Sequence, residues 1–582
     1  MDLRLMLERP TEAEREAIDA LLGPAPGFNG HVAYGGHAAR ARRHLLLPAL
    51  HAAQDAAGSV SRGALSYICD RLTIPPAEAY GVATFYALFD VDGGGGETIH
   101  VCDDIVCAQY GAEDLCAGLD GAGVAYKRSP CLGQCDRAPA AMFHAPGIGY
   151  GSAAPVDPST VSMPVFDDLP PGLIHQDRSE LRLLRRIGVV DPGSIHSYLE
   201  ADGFTALNRA RQIGPQSVIE ELKKSNLRGR GGAAFPIGIK WEGVAGAVGL
   251  PKYVIANGDE SEPGTFKDRL VMEGDPYAVV EAMILYGYAT GASHGFIYVR
   301  GEYPTAERRL RHAIEETRAA GLIHEGFELE VRRGAGAYIC GEETALFASI
   351  EGHRGEPRQK PPFPVESGVF GKPTGINNVE TLIAALEVVR GGGEAFAAIG
   401  TEQSSGPKLF CVSGAVARPG VYEVPFGTIL GELLDLAGGI REGRGLGAVL
   451  MGGAAGVFAD ASALTVPLTF EDTRTAGTTL GSGSIVFFDD QTDFGPVLRR
   501  IAQFFRDESC GQCVPCRIGT VRQEEALARL SAGQPLGSSA EEVERLSDLA
   551  RVMTDASICG LGQTASSAVQ SAMRLGLNGV PA

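Results

Sequence analysis

Near the C-terminus the chain reads Glu508-Ser-Cys510-Gly-Gln-Cys513-Val-Pro-Cys516-Arg-Ile-Gly-Thr520, and a single Cys559 follows in Ser557-Ile-Cys559-Gly-Leu-Gly-Gln563. Three thiolates in so short a loop can hold three corners of one iron–sulfur cubane, and the fourth ligand then has to come from elsewhere because the loop cannot wrap the cluster. Zinc is the competing occupant, but a four-sulfur zinc knot pairs one C-x2-C with another, not a triplet with a singleton. Pro515 stiffens the loop before the third ligand, where backbone N–H groups must point at sulfur. A second set lies toward the other end, Cys102-Asp-Asp-Ile-Val-Cys107 followed by Cys131-Leu-Gly-Gln-Cys135. This C-x4-C pair with a C-x3-C pair again supplies enough thiolate for one cluster. A disulfide framework fits poorly, because the chain is large, shows no signal peptide, and reads as cytoplasmic, where thiols stay reduced. Of twelve cysteines the two sets take eight, leaving Cys69, Cys116, Cys340 and Cys411. Cys116 follows the helix-like Ala112-Glu-Asp-Leu115 and reads as a packing residue.

Between the cysteine sets lies Leu227-Arg-Gly229-Arg-Gly231-Gly232-Ala-Ala-Phe235-Pro. It follows a helical pattern, not a strand, so it is not the dinucleotide fingerprint. Glycines of this kind let backbone N–H groups approach a phosphate or a flat ring, and Arg228, Arg230 and Lys240 would add positive charge. Taken alone the loop reads equally as a tight turn. Its company matters: Asn257-Gly-Asp259-Glu260-Ser-Glu262-Pro-Gly264, Gly334-Ala-Gly-Ala-Tyr338-Ile-Cys-Gly341-Glu342-Glu343-Thr344, Lys360-Pro-Pro-Phe363 and Asn377-Asn378. Carboxylates and amides beside glycine suit ribose and ribityl hydroxyls, which ask for acceptors. Any single glutamate among them still reads as a solvated surface group; the set does not.

The elements that must position these groups are several. A chain of 582 residues holds several domains. Residues 1–90 show helical periodicity. From about 97 short strands and helices carry the first cysteine pairs, closing a domain at 1–150, with Gly93-Gly-Gly-Gly96 expected as a hairpin tip and a strand at 124–127. A Pro-, Ser- and Asp-rich linker spans 151–180. Helix signals at 194–210 and 215–225 lead into alternating strands and helices over 181–404, the pattern of an α/β core. Residues 405–490 are strand-rich with Gly-Gly turns, a β-grasp-like insert, and 491–582 return to helices around the C-terminal cysteines. The fold class expected is multidomain α/β. No apolar run is long enough to span a bilayer. A net charge of −20 with no basic run disfavours nucleic acid and anionic membrane as partners.

The motifs Arg-Gly-Arg-Gly-Gly, Gly-Thr-Phe-Lys-Asp (264–268), Arg-Arg-Gly-Ala-Gly-Ala-Tyr-Ile-Cys-Gly-Glu-Glu (332–343), Lys-Pro-Pro-Phe-Pro (360–364) and the C-terminal cysteines together resemble the flavin- and NADH-binding subunit of respiratory NADH dehydrogenases, here preceded on the same chain by a thioredoxin-like two-iron ferredoxin. The resemblance covers nearly the whole length. It implies FMN held by Gly229, Arg230, Gly231, Gly232, Lys240, Asn257, Asp259, Tyr338, Gly341, Glu342, Glu343, Asn377, Asn378 and Thr381. NAD(H) would stack over the flavin near Phe235, Glu260, Glu262, Lys360 and Phe363, with Glu342 and Glu343 in the catalytic role. A [2Fe-2S] cluster would sit on Cys102, Cys107, Cys131 and Cys135, and a [4Fe-4S] cluster on Cys510, Cys513, Cys516 and Cys559 in a C-terminal helical bundle. The chain departs from the family at Ala234, where relatives have glycine, and at Gly243, where an aromatic is common.

Fused chains of this kind occur as β subunits of NAD-dependent formate dehydrogenases and as diaphorase subunits of NAD-reducing hydrogenases. Val101-Cys-Asp-Asp-Ile-Val-Cys107, Ala256-Asn-Gly-Asp259, Val412-Ser-Gly-Ala-Val-Ala-Arg-Pro-Gly-Val421 and Asp555-Ala-Ser-Ile-Cys-Gly-Leu-Gly-Gln-Thr-Ala-Ser566 look closer to the former. That implies NADH:acceptor oxidoreductase chemistry carried by the cofactors, with a molybdenum- or tungsten-pterin formate dehydrogenase α subunit as partner. A respiratory NADH dehydrogenase, a hydrogenase diaphorase, a non-catalytic electron-transfer scaffold and a zinc-stabilised interaction protein are the alternatives.

Overall fold

A computed structural model describes residues 8–23, 42–91, 93–161, 166, 172 and 174–577. Its strands form three sheets. In the first, β1 (Thr98–Cys102), β2 (Lys127–Ser129), β3 (Ala141–Ala145) and β4 (Gly149–Ala153) run in the order β2-β1-β3-β4. The strand expected at 124–127 begins only at Lys127, because Val124 and Tyr126 pack into the apolar cluster around Leu115 and Phe143. Residues 151–153 pair with β3 and do not yet form linker. The stretch expected as a hairpin tip, 93–96, instead joins the helices that precede this sheet to β1. Those helices, Glu12–Leu22, Leu46–Ala57, Arg62–Leu72 and Pro76–Ala83, end in a segment that pairs with the next domain: Ala87 and Leu88 donate N–H bonds to Gly336 and Ala335.

The second sheet, β5 (Tyr253–Gly258), β6 (His294–Val299), β7 (Glu328–Arg333) and β8 (Thr374–Asn378), is wholly parallel. Its inner strands are near-continuous apolar runs because helices cover both faces, whereas the edge strand β7 alternates, with Leu329 and Val331 inside and Glu328 and Glu330 outside. Helix Pro276–Thr290 is enclosed on nearly every side and accordingly lacks a polar face. The order β7-β6-β5-β8 places a topological switch between β5 and β8. In open α/β sheets the ligand crevice opens beyond the carboxyl ends of strands at such a point.

One helix was expected at 194–210; two form, Ile195–Glu200 and Thr205–Ile213. The break is made by buried Glu281, which accepts N–H bonds from Phe204 at 2.8 Å and Leu207 at 3.0 Å and the hydroxyl of Tyr198 at 2.5 Å. A carboxylate with those donors favours a second helix start over a continuous helix.

The third sheet is mixed, β10 (Gly420–Pro425), β9 (Pro407–Gly414), β13 (Ser484–Asp489), β11 (Leu446–Met451) and β12 (Val457–Ala459), with helix Leu430–Leu436 over its own apolar cluster. Helices Phe494–Asp507, Val514–Ser531, Ser539–Ala556, Gly560–Thr564 and Ser567–Arg574 follow. Among the described residues no helix is long and apolar enough to cross a membrane.

Candidate functional site

Because β1 and β2 lie parallel, the loops that leave them emerge at the same end of the sheet. Cys102 ends β1, Cys107 lies in helix Ile105–Ala108, and Cys131 and Cys135 follow β2. The Cys131 and Cys135 sulfurs are 3.3 Å apart, and the Cys102 thiol touches those of Cys107 and Cys131. All four are buried and, among the described residues, no cysteine is in a disulfide. Gly133 N–H points at Cys131 Sγ from 3.4 Å. At the other end Cys513 and Cys559 immediately precede helices Val514–Ser531 and Gly560–Thr564; burial pushes the Cys559 thiol up to about 11, opposed by Leu561 and Gly562 N–H groups turned toward its sulfur. Cys516 is buried, Cys510, Cys513 and Cys559 half-buried, and the Ser509 hydroxyl lies 3.3 Å from Cys516 Sγ. Convergent thiols with N–H and O–H groups turned toward sulfur fit iron–sulfur clusters at both places.

Beyond the carboxyl ends of β5 and β8 lies a cavity of about 510 Å³. Its wall includes Gly231, Gly232, Asn257, Asp259, Glu260, Glu262, Tyr338, Gly341, Glu342 and Asn378, all expected from the sequence. A Cβ on Gly231 would stand 3.1 Å from the Asn378 Cβ, a tight contact, and Gly232 holds φ +111°, a conformation that glycine takes without strain. The loop is closed at its base by Gly229 N–H to Phe235 O and Ile237 N–H to Leu227 O. Ala234 holds φ +51°, the left-handed region that glycine would occupy without strain.

Asp259 carries the clearest signal of an absent partner. Its Oδ2 is shut from solvent with no hydrogen-bond partner among the described residues, and desolvation holds its pKa well above the usual carboxylate range. An orphaned acceptor in this wall fits the hydroxyls of a ribityl chain, as FMN would supply. Asn257 Nδ2 donates to Gly341 O at 2.9 Å, and Asn257 Oδ1 accepts from Asp259 N–H, so one side chain ties both loops. Tyr338 donates its hydroxyl to Glu262 Oε2 at 2.6 Å, while Glu262 Oε1 accepts Ala455 N–H at 2.7 Å. Burial pushes Glu260 and Glu262 up to about 7.

Arg230, Thr381, Asn377, Lys240, Glu343, Lys360, Phe235 and Phe363 stand behind or outside this wall, to which Glu342 belongs. Arg230 was expected to lend charge to the ligand, but its guanidinium turns away, donating to Ser405 O at 2.7 Å and lying over Phe426; only its N–H, given to Thr381 Oγ1 at 2.8 Å, serves the loop. Asn377 accepts from Trp241 Nε1 at 3.0 Å, and Lys240 Nζ donates to Ile376 O at 3.0 Å; both brace β8. Glu342 caps helix Glu343–Ile350 through Thr344 and Ala345 N–H and, with Glu343, holds Lys360 Nζ at 3.1 and 2.5 Å. Phe235 and Phe363 are 48% and 54% exposed and are not part of the cavity wall. Thr265 and Asp268, from the 264–268 motif but not expected as site residues, add to the wall, and Gly452, Ala455, Thr479, Gly481, Ser482, Gly560, Leu561 and Thr564, also not expected, bring the insert and the C-terminal helices to it. Their only signals were the Gly-Gly turns and the nearness of Gly560 to Cys559.

Four family models match the chain: the Nuo51 FMN-binding domain over residues 222–387, the NADH-ubiquinone oxidoreductase-F iron-sulfur binding region over 496–575, a thioredoxin-like [2Fe-2S] ferredoxin over 35–152 and an SLBB domain over 409–452. The chain is 43% identical to the second F-type subunit of the NADH-quinone oxidoreductase of Rhizobium meliloti (strain 1021), across 67% of this chain and 94% of that protein. It is 41% identical to the HndC subunit of the NADP-reducing hydrogenase of Solidesulfovibrio fructosivorans, across 68% and 82%. A chain in the crystal structure of an air-oxidized NAD+-reducing [NiFe]-hydrogenase superposes with a TM-score of 0.80 at 32% identity, covering 92% of this chain and 94% of that one.

Proposed function

We propose, since the chain belongs to the family of F-type subunits of NADH-quinone oxidoreductase, that it exchanges hydride with NAD(H) at the 510 Å³ cavity and passes single electrons out through its two cysteine-bound clusters. The observation that carries this reading is the continuity of cavity and cluster ligands. Gly560 and Leu561, which follow Cys559 directly, line the cavity. On the other side buried Arg300 donates to Cys131 O at 2.7 Å and to Glu260 O at 2.8 Å.

When bound, the flavin converts a two-electron hydride into single electrons, chemistry that belongs to the cofactor. The chain's own groups bind and orient. Asp259 Oδ2 offers the free acceptor, Gly231 and Gly232 bring the glycine loop to the wall, and Leu561, Ala455 and Gly481 line it from the C-terminal helices and the insert. Lys360, pinned by Glu342 of the wall and by Glu343, sets a positive charge beside two carboxylates, and exposed Phe235 and Phe363 offer flat apolar faces to a base. Tyr338 keeps its proton on Oη, donated to Glu262 Oε2.

The partner reading is a molybdenum- or tungsten-pterin formate dehydrogenase α subunit in the cytoplasm, supported by the motifs at 101–107, 256–259, 412–421 and 555–566. A hydrogen-activating partner is the second reading, favoured by the likeness to the NAD+-reducing [NiFe]-hydrogenase chain over both lengths. Capture of partners on this chain, followed by formate-dependent and hydrogen-dependent NAD+ reduction, separates them. Formate-driven reduction with a pterin-containing partner is expected; hydrogen-driven reduction with a nickel-containing one would replace it.

A further inference from the structure

The 405–490 insert meets the flavin-binding half through charges that solvent does not reach. Lys408, at the start of β9, sets its ammonium 2.8 Å from Glu380 Oε2, 2.5 Å from Leu409 O and 2.8 Å from Ser482 O. An ammonium has three donors, and here each has an acceptor. Lys408 and Glu380 are both 0% exposed. Glu380 also pairs with Lys267 Nζ at 3.1 Å, and its other oxygen accepts Leu409 N–H at 3.0 Å. Lys267 in turn is held by Asp268, whose Oδ2 accepts from Asn378 Nδ2 at 2.6 Å in the cavity wall. A Cβ on Gly483 would meet Lys408 Nζ at 2.5 Å, so the loop folds onto the ammonium only with glycine there.

A buried ion pair is weak grounds for stability, since apolar residues of the same volume often do as well. What the ammonium adds is direction. It grips the carbonyl of Ser482 in the loop whose Thr479, Gly481 and Ser482 form the cavity roof, where a Cβ on Gly232 would come within 3.7 Å of the Gly481 backbone. We propose that Lys408 is a positioning residue for flavin retention, latching the 479–483 loop of the insert over the cavity through Glu380 and the Ser482 carbonyl. The proposal rests on the cavity being the FMN site.

The charges facing Lys408 are Glu380 from helix Val379–Gly391, Lys267 from helix Lys267–Gly274 and Arg230 from the glycine loop. Burial, opposed by Glu380 and assisted by Lys267 and Arg230, brings Lys408 down to about 8. Below that value the latch is charged and complete. Above it the neutral amine has two donors for three acceptors, and the roof loosens.

The test uses the holo chain and reads FMN dissociation and flavin content, with the two clusters' paramagnetic signals as a check on folding. K408M is expected to hold FMN roughly tenfold more weakly with both cluster signals kept, and K408R to recover most of the loss. Wild-type FMN release should accelerate as pH rises through about 8, whereas K408R, charged throughout, shows no such step. If K408M folds poorly, the wild-type and K408R profiles still decide. Equal FMN retention by K408M, or a wild-type release rate flat across this range, overturns the latch. A wild-type chain that takes up no FMN at any pH overturns the cavity reading itself, and the latch with it.

Discussion

At the scale of single residues, Asp259 is asked for two things that conflict. As an acceptor it must face the ligand, and without the ligand its Oδ2 is a desolvated carboxylate oxygen with no partner among the described residues. D259N should therefore raise the thermal midpoint of the FMN-free chain while weakening FMN binding, two opposite changes readable by calorimetry and flavin titration. The same desolvation sets a pH dependence. Glu260 and Glu262, raised to about 7 from an ordinary 4.5, bind more protons folded than unfolded between those values. The FMN-free chain should thus gain stability as pH falls from about 7 toward 5, checked by denaturant midpoints. Asp259, Asn257 and Tyr338 were legible in the sequence because acceptors and amides beside glycine have few other uses. Gly481, Gly560 and Leu561 were not, since they give the wall backbone and bulk, and those residue types advertise no chemistry. Arg230 misled for the opposite reason: a charge beside a glycine loop reads as a ligand for phosphate, and its stacking on Phe426, in another domain, leaves no local trace.

At the scale of elements, local pattern carried the parallel sheet and the helices well, and the failures have a common cause. The apolar runs of β5 and β6 announce a sheet covered on both faces. The interruption of the helix expected at 194–210 depends on Glu281, which is far away in the chain and reads locally as one charge inside an apolar stretch. E281A should cost roughly 3 kcal/mol or more, by leaving Phe204 and Leu207 N–H and the Tyr198 hydroxyl unpaired in the core. Its denaturant midpoint should fall accordingly, with E281Q falling less, since the amide oxygen still accepts.

At the scale of the whole molecule, the two-iron loop is clamped to the flavin-binding half by arginines without solvent contact. Arg269 donates to Gly133 O at 2.9 Å and to Asp136 at 2.7 Å while pairing with Glu273 at 3.2 Å, and it is 0% exposed. R269M would leave Asp136 and Glu273 without their shared cation, a cost of about 3–5 kcal/mol. Unfolding by denaturant should then split, with the two-iron signal lost before that of the cubane; a single coincident transition would show that the clamp is dispensable. The cavity wall has a consequence for how the protein is made. Its residues run from Gly231 to Thr564 in a chain of 582. At synthesis rates of about 5–20 residues per second, tens of seconds separate the emergence of the glycine loop from that of the last wall residue. A nascent chain therefore has no finished pocket to fill. Flavin capture waits until the helix that carries Gly560, Leu561 and Thr564 has been made and has folded back beside the glycine loop.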